Sequence, residues 1–416
     1  MIKPVLTVFY QFNPWHSSIG GIQTVIKNFV KYAPSEFEVR LVGTGHEEQH
    51  LRVGEWHEAE LAGKAIQFMP LFNLKDDNVR KLIPTTIKYA AALFGRNLAS
   101  DFMHFHRLEP TLAALNWPGE KALFIHNDIN KQINSAGGKD AIAWRYFPAA
   151  YFALEQQLLG QFSQIFSCNT ESAQLYRQRY PEIADRVSYV KNTVDNEICY
   201  PLTWDERQQE RRQLAIRMGK TEDTQFVLFA GRLHPQKDPI LLVRSLAALN
   251  NPKIHLLIAG DGDLRAEIQT EISRLGLSEQ VTMLGAINQA ELAQLQRLSS
   301  VFVLTSAYEG LPVVVLEALA CGTPVVTTRC GETPNLLTAH SGVVCEERTP
   351  VAVADALRQV LQNPGNFPIE ACVKAAEPYS ASTVVGAIYN ILLHRWQQRN
   401  SSIRQTNQQS LTGVSL

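Results

Sequence analysis

Cysteine pairs, long apolar runs and an excess of either charge are all missing from this chain. Its six cysteines (Cys168, Cys199, Cys321, Cys330, Cys345 and Cys372) form no Cys-x-x-Cys pair and fall within strand-like or helix-like runs. That disfavours a zinc site or a disulfide framework and points to buried, reduced thiols, the usage expected of a cytoplasmic protein. No apolar stretch approaches the roughly 20 residues needed to cross a bilayer. Met1-Ile2-Lys3-Pro4 leads straight into the strand-like Val5 to Tyr10 without the anatomy of a signal peptide. A net charge of −1 gives no general nucleic-acid footprint, so no nucleic-acid partner is expected.

What is present is the composition of a folded globular protein, and 416 residues exceed one ordinary core. A prior of about 150 residues per domain suggests two or three domains. Strand-like runs recur at Val5–Tyr10, Phe37–Val42, Ala65–Met69, Phe102–His106, Ala122–His126, Gln164–Cys168 and Val187–Val190. They continue at Phe226–Ala230, Ile254–Ala259, Val281–Leu284, Val301–Leu304, Pro324–Thr327 and Gly342–Cys345. Segments between them, such as Pro239–Leu249, carry apolar residues at helical spacing. This alternation predicts an α/β protein whose parallel sheets are covered by helices on both faces. Two doubly wound domains follow, residues 1–195 and 196–378, with a helix over 379–398. The Ser-, Asn- and Gln-rich residues 399–416 are too polar to bury a core and read as a disordered tail.

The most informative stretch is Thr305-Ser306-Ala307-Tyr308-Glu309-Gly310-Leu311-Pro312, running into Val313 to Gly322. Val301–Leu304 reads as a buried parallel strand, Glu309-Gly310 as the turn beyond its carboxyl end, and Pro312 as the first helical residue, where a missing N–H costs nothing. Open α/β sheets bind ligands outside the carboxyl ends of their strands, and N–H groups at a helix start, here Gly310 and Leu311, favour a phosphate. A carboxylate beside a phosphate fits a neutral partner such as a sugar hydroxyl, which suits Glu309, with Glu317 on the helix behind it. The two glutamates fit a solvated turn and an exposed helix face as well.

Gly20-Gly21 stands between a strand and a helix, where the backbone can approach an anion, although a simple turn uses the same dipeptide. Gly231-Arg232-Leu233-His234-Pro235-Gln236-Lys237-Asp238 is more specific. It places an Arg and a Lys just beyond a buried strand, suited to a diphosphate, with Arg232 able to make bidentate contacts and Lys237 acting as a point charge. Ala259-Gly260-Asp261-Gly262-Asp263 supplies another glycine turn at the same sheet edge. His126 ends its strand and should face the cleft, though a lone strand-end histidine is more often structural.

Together these residues resemble the retaining family 4 glycosyltransferases of the GT-B fold, over nearly the whole chain. The resemblance is carried by Gly231-Arg232 with Lys237, Gly260-Asp261-Gly262, Gly285, Glu309-x7-Glu317, Ala318-Ala320-Gly322-Pro324-Val325 and Gly331-Glu332. Looser matches are Gly20-Gly21-Ile22-Gln23, His126 and Asn192-x-Val194-Asp195. It implies two Rossmann-like domains facing across a cleft and a sugar-nucleotide donor held mainly by the second. Arg232, Lys237 and the backbone of Gly21, Gly310 and Leu311 would meet the diphosphate. Gly20, Gly262 and Gly285 would line the donor site, Glu317 would hold the ribose, Glu309 the donor sugar, and His126 would reach that sugar from the opposite wall. The residues assigned to catalysis are Glu309, His126, Arg232 and Lys237, with no metal and no cofactor beyond the nucleotide-diphosphate sugar as co-substrate.

The acceptor implied is a glycan or a lipid-linked glycan, bound to the first domain, with the last helix crossing back to it. A basic apolar stretch (Arg80-Lys81, Lys88 and Arg96 among Leu82, Ile83, Ile87, Tyr89, Leu93 and Phe94) would suit peripheral contact with the cytoplasmic membrane face. Pro84 interrupts it, and a packed surface helix explains the pattern equally well. Two departures from the family stand out: Thr193 replaces a usual glycine, and His126 is followed by Asn127 rather than Asp. Rival readings are a nucleotide-sugar epimerase or phosphorylase of the same fold, or a non-catalytic sugar-nucleotide binder. Retention of Glu309, Arg232 and Lys237 weighs against them.

Overall fold

The computed structural model describes residues 3–15, 20–74, 84–126 and 146–412, with side chains as far as Ser402. Eight strands build the first sheet: β1 (Val5–Phe9), β2 (Glu38–Gly45), β3 (His57–Leu61), β4 (Lys64–Asn73), β5 (Phe102–Phe105), β6 (Glu120–Ile125), β7 (Gln164–Ser167) and β8 (Val187–Tyr189). Their order is β3-β4-β2-β1-β5-β6-β7-β8. Six strands build the second: β9 (Gln225–Ala230), β10 (Ile254–Ala259), β11 (Val281–Gly285), β12 (Val301–Leu304), β13 (Val325–Thr328) and β14 (Gly342–Cys345), in the order β11-β10-β9-β12-β13-β14. Counted within its own domain, the second order is 3-2-1-4-5-6, the doubly wound arrangement.

Burial explains why the second sheet was the more legible. β10 and β12 are buried at every position, so each reads as an unbroken apolar run, the mark of a parallel strand covered on both faces. β3 was not foreseen. It is the one antiparallel partner among the described strands, pairing His57↔Phe68 to Leu61↔Lys64 around a turn with Ala62 at φ 51° and Gly63 at φ 75°. A tight hairpin of this kind wants two left-handed residues, and an alanine in the first of them hides the usual signal.

The two domains are tied at their junctions. Val194 donates its N–H to the Tyr379 carbonyl (2.9 Å) and accepts from the Ala381 N–H (2.8 Å), so the outgoing and returning chains run side by side. Thr193 has no left-handed backbone, and its hydroxyl oxygen accepts from Asn28 Nδ2 at 3.0 Å, so the replaced glycine leaves no strain. The last helix, Ala381–Thr412, buries Val385, Ile388, Tyr389 and Leu392 in the first domain's core, and Tyr389 donates to the Phe29 carbonyl at 3.0 Å. It does not stop at 398. The segment from Arg399 expected to be disordered is helical to Thr412, because an existing helix propagates through polar residues without a new nucleation step. Arg395 and Arg399 both pair with Glu120, at 3.3 and 3.6 Å, which anchors the extension's first turn.

All six cysteines are buried and unbridged. Among the described residues no helix is long and apolar enough to cross a membrane.

Candidate functional site

In the second sheet, strand order reverses between β9 and β12, and ligands of open α/β sheets bind at such a point. The loops leaving these strands are the two that the sequence singled out. They are laced together: the Ala307 N–H donates to the Gln236 carbonyl (2.8 Å), Gln236 Nε2 to the Tyr308 carbonyl (3.0 Å), and the Thr305 hydroxyl to the Lys237 carbonyl (3.0 Å). Lys237 Nζ then lies 2.5 Å from Glu309 Oε1, with the lysine side chain 18% exposed and the carboxylate 6%. The lysine stem crosses Gly231, where a Cβ would sit 3.6 Å from Lys237 Cε. Arg232, in the same loop, is exposed at the sheet edge.

Two other glycines of this edge allow a close backbone approach. A Cβ on Gly260 would fall 1.9 Å from the Gly231 carbonyl oxygen, and one on Gly262 would fall 2.6 Å from that of Leu233. These glycines let the β10 loop pack onto the Arg232 loop, so they shape that loop from behind. Gly285 ends β11 at φ 75° and accepts from the Gly260 N–H at 2.7 Å. Two strand spacings, roughly 10 Å, separate it from β9.

The helix Val313–Ala320 starts one residue later than the sequence suggests, because Pro312 is extended (φ −69°, ψ 117°) and caps it rather than opening it. The preceding turn is wedged against the first domain: Asn192 Nδ2 donates to the Leu311 carbonyl at 2.6 Å, and a Cβ on Gly310 would lie 2.8 Å from the Cys168 sulfur. The helix-start donors are the Val313 and Val314 N–H groups, since the Val315 N–H already donates to the Pro312 carbonyl at 3.1 Å. Facing them is the start of Gly21–Lys31, where a Cβ on Gly21 would lie 3.7 Å from Val313 Cγ2. Neither helix has a side-chain cap or an acidic residue in its first turn. Two positive helix ends therefore meet across the cleft beside Lys237, an arrangement that favours an anion.

Glu317 is 4% exposed on that helix, and Gln289 Nε2 donates to its Oε1 at 2.8 Å. Burial pushes its carboxyl up to about 7 from an ordinary 4.5, the Gln289 bond opposing the shift and the Asp195 charge reinforcing it. Between those values the folded protein holds a proton that the unfolded chain has lost. The stability tied to this group is therefore greatest below about pH 4.5 and falls as pH rises to about 7. A partner that donates hydrogen bonds to the ionised carboxylate recovers that loss.

Across the cleft, the first sheet reverses order between β1 and β5, so its own switch point lies beside His106 at the end of β5. His126 follows β6. The two imidazoles lie nearly coplanar and meet edge to edge, 5.1 Å between centroids, with His106 Nδ1 2.8 Å from His126 Nε2. Burial holds both rings neutral, His126 pushed down to about 3 with help from the Arg107 charge, and His106 well below its ordinary range. The His126 carbonyl oxygen would lie 2.1 Å from a Cβ on Gly310, so the two switch points touch through their backbones. A second bridge is Glu332 Oε1, which accepts from the backbone N–H and the hydroxyl of Thr170, the latter at 2.6 Å.

The structure thus gathers Lys237, Glu309, Gly310, Gly21, His126 and Arg232 at one crevice, with Glu317 buried behind it and Gly262 and Gly285 in support. Sequence reasoning missed His106, Asn192 as a brace, and Gln289. His106 had a signal, since two neighbouring strands each ended in histidine. The basic apolar stretch is only partly described: Arg80 to Ile83 lie outside the described residues, as does Asn127. Thr85–Leu93 forms a helix that buries Tyr89 and Leu93 and leaves Ile87 and Phe94 about half exposed.

Residues 210–377 match the family model for glycosyl transferases group 1. An uncharacterized glycosyltransferase of Methanocaldococcus jannaschii is 31% identical over 184 residues, 44% of this chain and 46% of that protein. A D-inositol 3-phosphate glycosyltransferase of Streptomyces coelicolor is 27% identical over 312 residues, 69% and 67% of the two chains. For most of the curated relatives that it matches, this chain spans about half their length. Among solved structures, sucrose-phosphate synthase of Thermosynechococcus elongatus superposes with a TM-score of 0.74 at 16% identity, covering 96% of this chain and all of that one. Anabaena HepE in complex with UDP and glucose gives 0.68 at 18% identity, covering 94% and 99%. Residues 210–377 thus match the group 1 glycosyl transferases, and the chain as a whole shares the two-domain fold of these solved structures.

Proposed function

We propose that the protein is a retaining, metal-independent glycosyltransferase that moves a sugar from a nucleotide-diphosphate donor to a glycan or lipid-linked acceptor. The observation that carries this reading is the crevice where Lys237, Glu309 and two uncapped helix starts converge at facing switch points. Arg232 and Lys237 grip the diphosphate and take the place of a cation. Glu317 holds the ribose, with the nucleoside extending toward Gly285 and Gln289. The presence of UDP and glucose in HepE supports a sugar nucleotide as donor.

As the bond between the anomeric carbon and the phosphate oxygen breaks, negative charge grows on the diphosphate, and the two cations and the helix N–H groups are already in place to receive it. The acceptor hydroxyl oxygen bonds to that carbon from the same face and its proton passes to the departing phosphate oxygen, so configuration is retained. Glu309 holds the donor sugar's hydroxyls rather than attacking the carbon; its pairing with Lys237 fits a positioning carboxylate. No cofactor is needed beyond the donor.

Thermal melts with a panel of sugar nucleotides test this. At 100 times its Kd the true donor adds about 2.7 kcal/mol of stability. The shift should persist in chelator and be larger at pH 8 than at pH 6, because the ribose hydroxyls recover what Glu317 loses on ionising. No shift with any sugar nucleotide, or one that chelator abolishes, overturns the reading. Peripheral membrane contact through Ile87, Lys88 and Phe94 belongs to the same reading of a lipid-linked acceptor. It predicts co-sedimentation with anionic vesicles at low salt, and no binding there removes it.

A further inference from the structure

The first domain's switch point carries a second histidine that neither the family match nor the donor grip accounts for. His106 is buried, stacked on Phe124 at 4.9 Å, with Tyr10 edge-on at 6.0 Å and the His126 ring nearly coplanar beside it. The stack on Phe124 alone would be served by any flat ring. The imidazole adds one directed contact, His106 Nδ1 to His126 Nε2 at 2.8 Å. With both rings neutral this is a single N–H···N bond, so one ring donates and the other accepts.

Two consequences follow for His126. Its Nε2 is occupied, which leaves Nδ1 as the one ring nitrogen available to a ligand. Its tautomer is also tied to that of His106: if His106 donates, His126 carries its proton on Nδ1 and presents a donor; if His126 donates, Nδ1 presents an acceptor. A half-turn of the His126 ring about its Cβ–Cγ bond would exchange the two edges and break the bond. His126 closes the same backbone contact that brings Gly310 against the first domain, so its ring orientation is set where the donor sugar must lie.

We propose that His106 is a positioning residue for sugar transfer, which fixes the ring orientation and tautomer of His126 so that Nδ1 meets a hydroxyl of the donor sugar. This rests on the reading of His126 as a donor-sugar contact. The orientation matters most when the sugar ring moves toward the transition state, while diphosphate binding, supplied from the other domain, is largely indifferent to it.

The test compares His106→Phe, His106→Asn and His126→Ala by steady-state kinetics with the sugar nucleotide that gives the largest thermal shift, alongside melting temperatures. His106→Phe keeps the stack on Phe124 and removes the nitrogen; kcat should fall about tenfold with donor KM within about twofold and the melting temperature little changed. His106→Asn places an amide near the lost Nδ1 and should recover most of that kcat. Imidazole 15N shifts should report a single His126 tautomer in the wild type and a mixture in His106→Phe. If His126→Ala is impaired while His106→Phe transfers like wild type, or His106→Asn fails to recover a deficit of a stably folded His106→Phe, the positioning role is overturned. If His126→Ala itself behaves as wild type, it is the reading of His126 that fails.

Discussion

Lys237→Met should weaken donor binding by about 10- to 100-fold, because it removes a charge-assisted contact worth roughly 1.5–3 kcal/mol. It should lower kcat further, by about 10²–10³-fold, the usual loss when one preorganised group is taken from a developing anion. The ion pair with Glu309 adds a separate effect. At 6% exposure, the carboxylate would lose its cation in a largely buried place, and breaking a buried pair costs about 3–5 kcal/mol. Lys237 is itself partly exposed, so water will offset some of this and the lower end is the better expectation. The two effects separate in Lys237→Met/Glu309→Gln, which leaves no lone charge. Its melting temperature should return toward wild type while transfer stays low. Calorimetric titration with the donor, kinetics and thermal melts together decide the matter. Wild-type donor affinity in Lys237→Met would remove the lysine from the phosphate grip, and a double variant as unstable as the single one would show that charge isolation is not the source of the loss.

The ion pair also shows what the sequence could and could not disclose. That Arg232, Lys237 and Glu309 would share one sheet edge was legible, because buried parallel strands announce themselves as apolar runs and loops at their carboxyl ends inherit a common side. Which loops would be neighbours was not. β9 and β12 are far apart in the chain and meet only through the reversal of strand order, so the Lys237–Glu309 contact belongs to topology rather than to local pattern. The same holds for His106 and His126, adjacent only because β5 and β6 pair. Glycine meaning was ambiguous for a related reason. A glycine that admits a ligand and one that admits another backbone look alike in sequence, and at Gly260 and Gly262 another backbone does come close. Pro312 misled by one residue, since proline suits a cap as well as a first helical position. The polar C-terminal helix was missed because composition speaks against a core, whereas an extension of a packed helix needs none.

Gly310 is where these long-range contacts become most exposed to a small change. A methyl group there would lie 2.1 Å from the His126 carbonyl oxygen and 2.8 Å from Cys168 Sγ, both on the opposite domain. The first is backbone at a strand end and cannot swing aside as a flexible side chain would. Gly310 has no positive φ, so alanine is compatible with its own backbone and the second domain should fold as before. The strain then falls on the contact between domains, which must part by an ångström or more. Misplacement of that size costs on the order of 10²-fold in rate, because His126 and the sugar it meets would no longer be held against Lys237 and the helix starts. Gly310→Ala is therefore expected to melt near wild type yet lose about 100-fold or more in transfer, with small-angle scattering reporting a more open particle. Cys168→Ala should not rescue it, since the carbonyl remains. Gly331→Ala supplies the contrast: its φ of 55° and its contact with the Gly310 carbonyl oxygen, also 2.1 Å, place the strain inside the second domain, so that stability falls along with activity. Full transfer by Gly310→Ala would mean that turnover does not pass through the closed contact between the two switch points, and that Lys237 and Glu309 act on a donor the first domain does not touch.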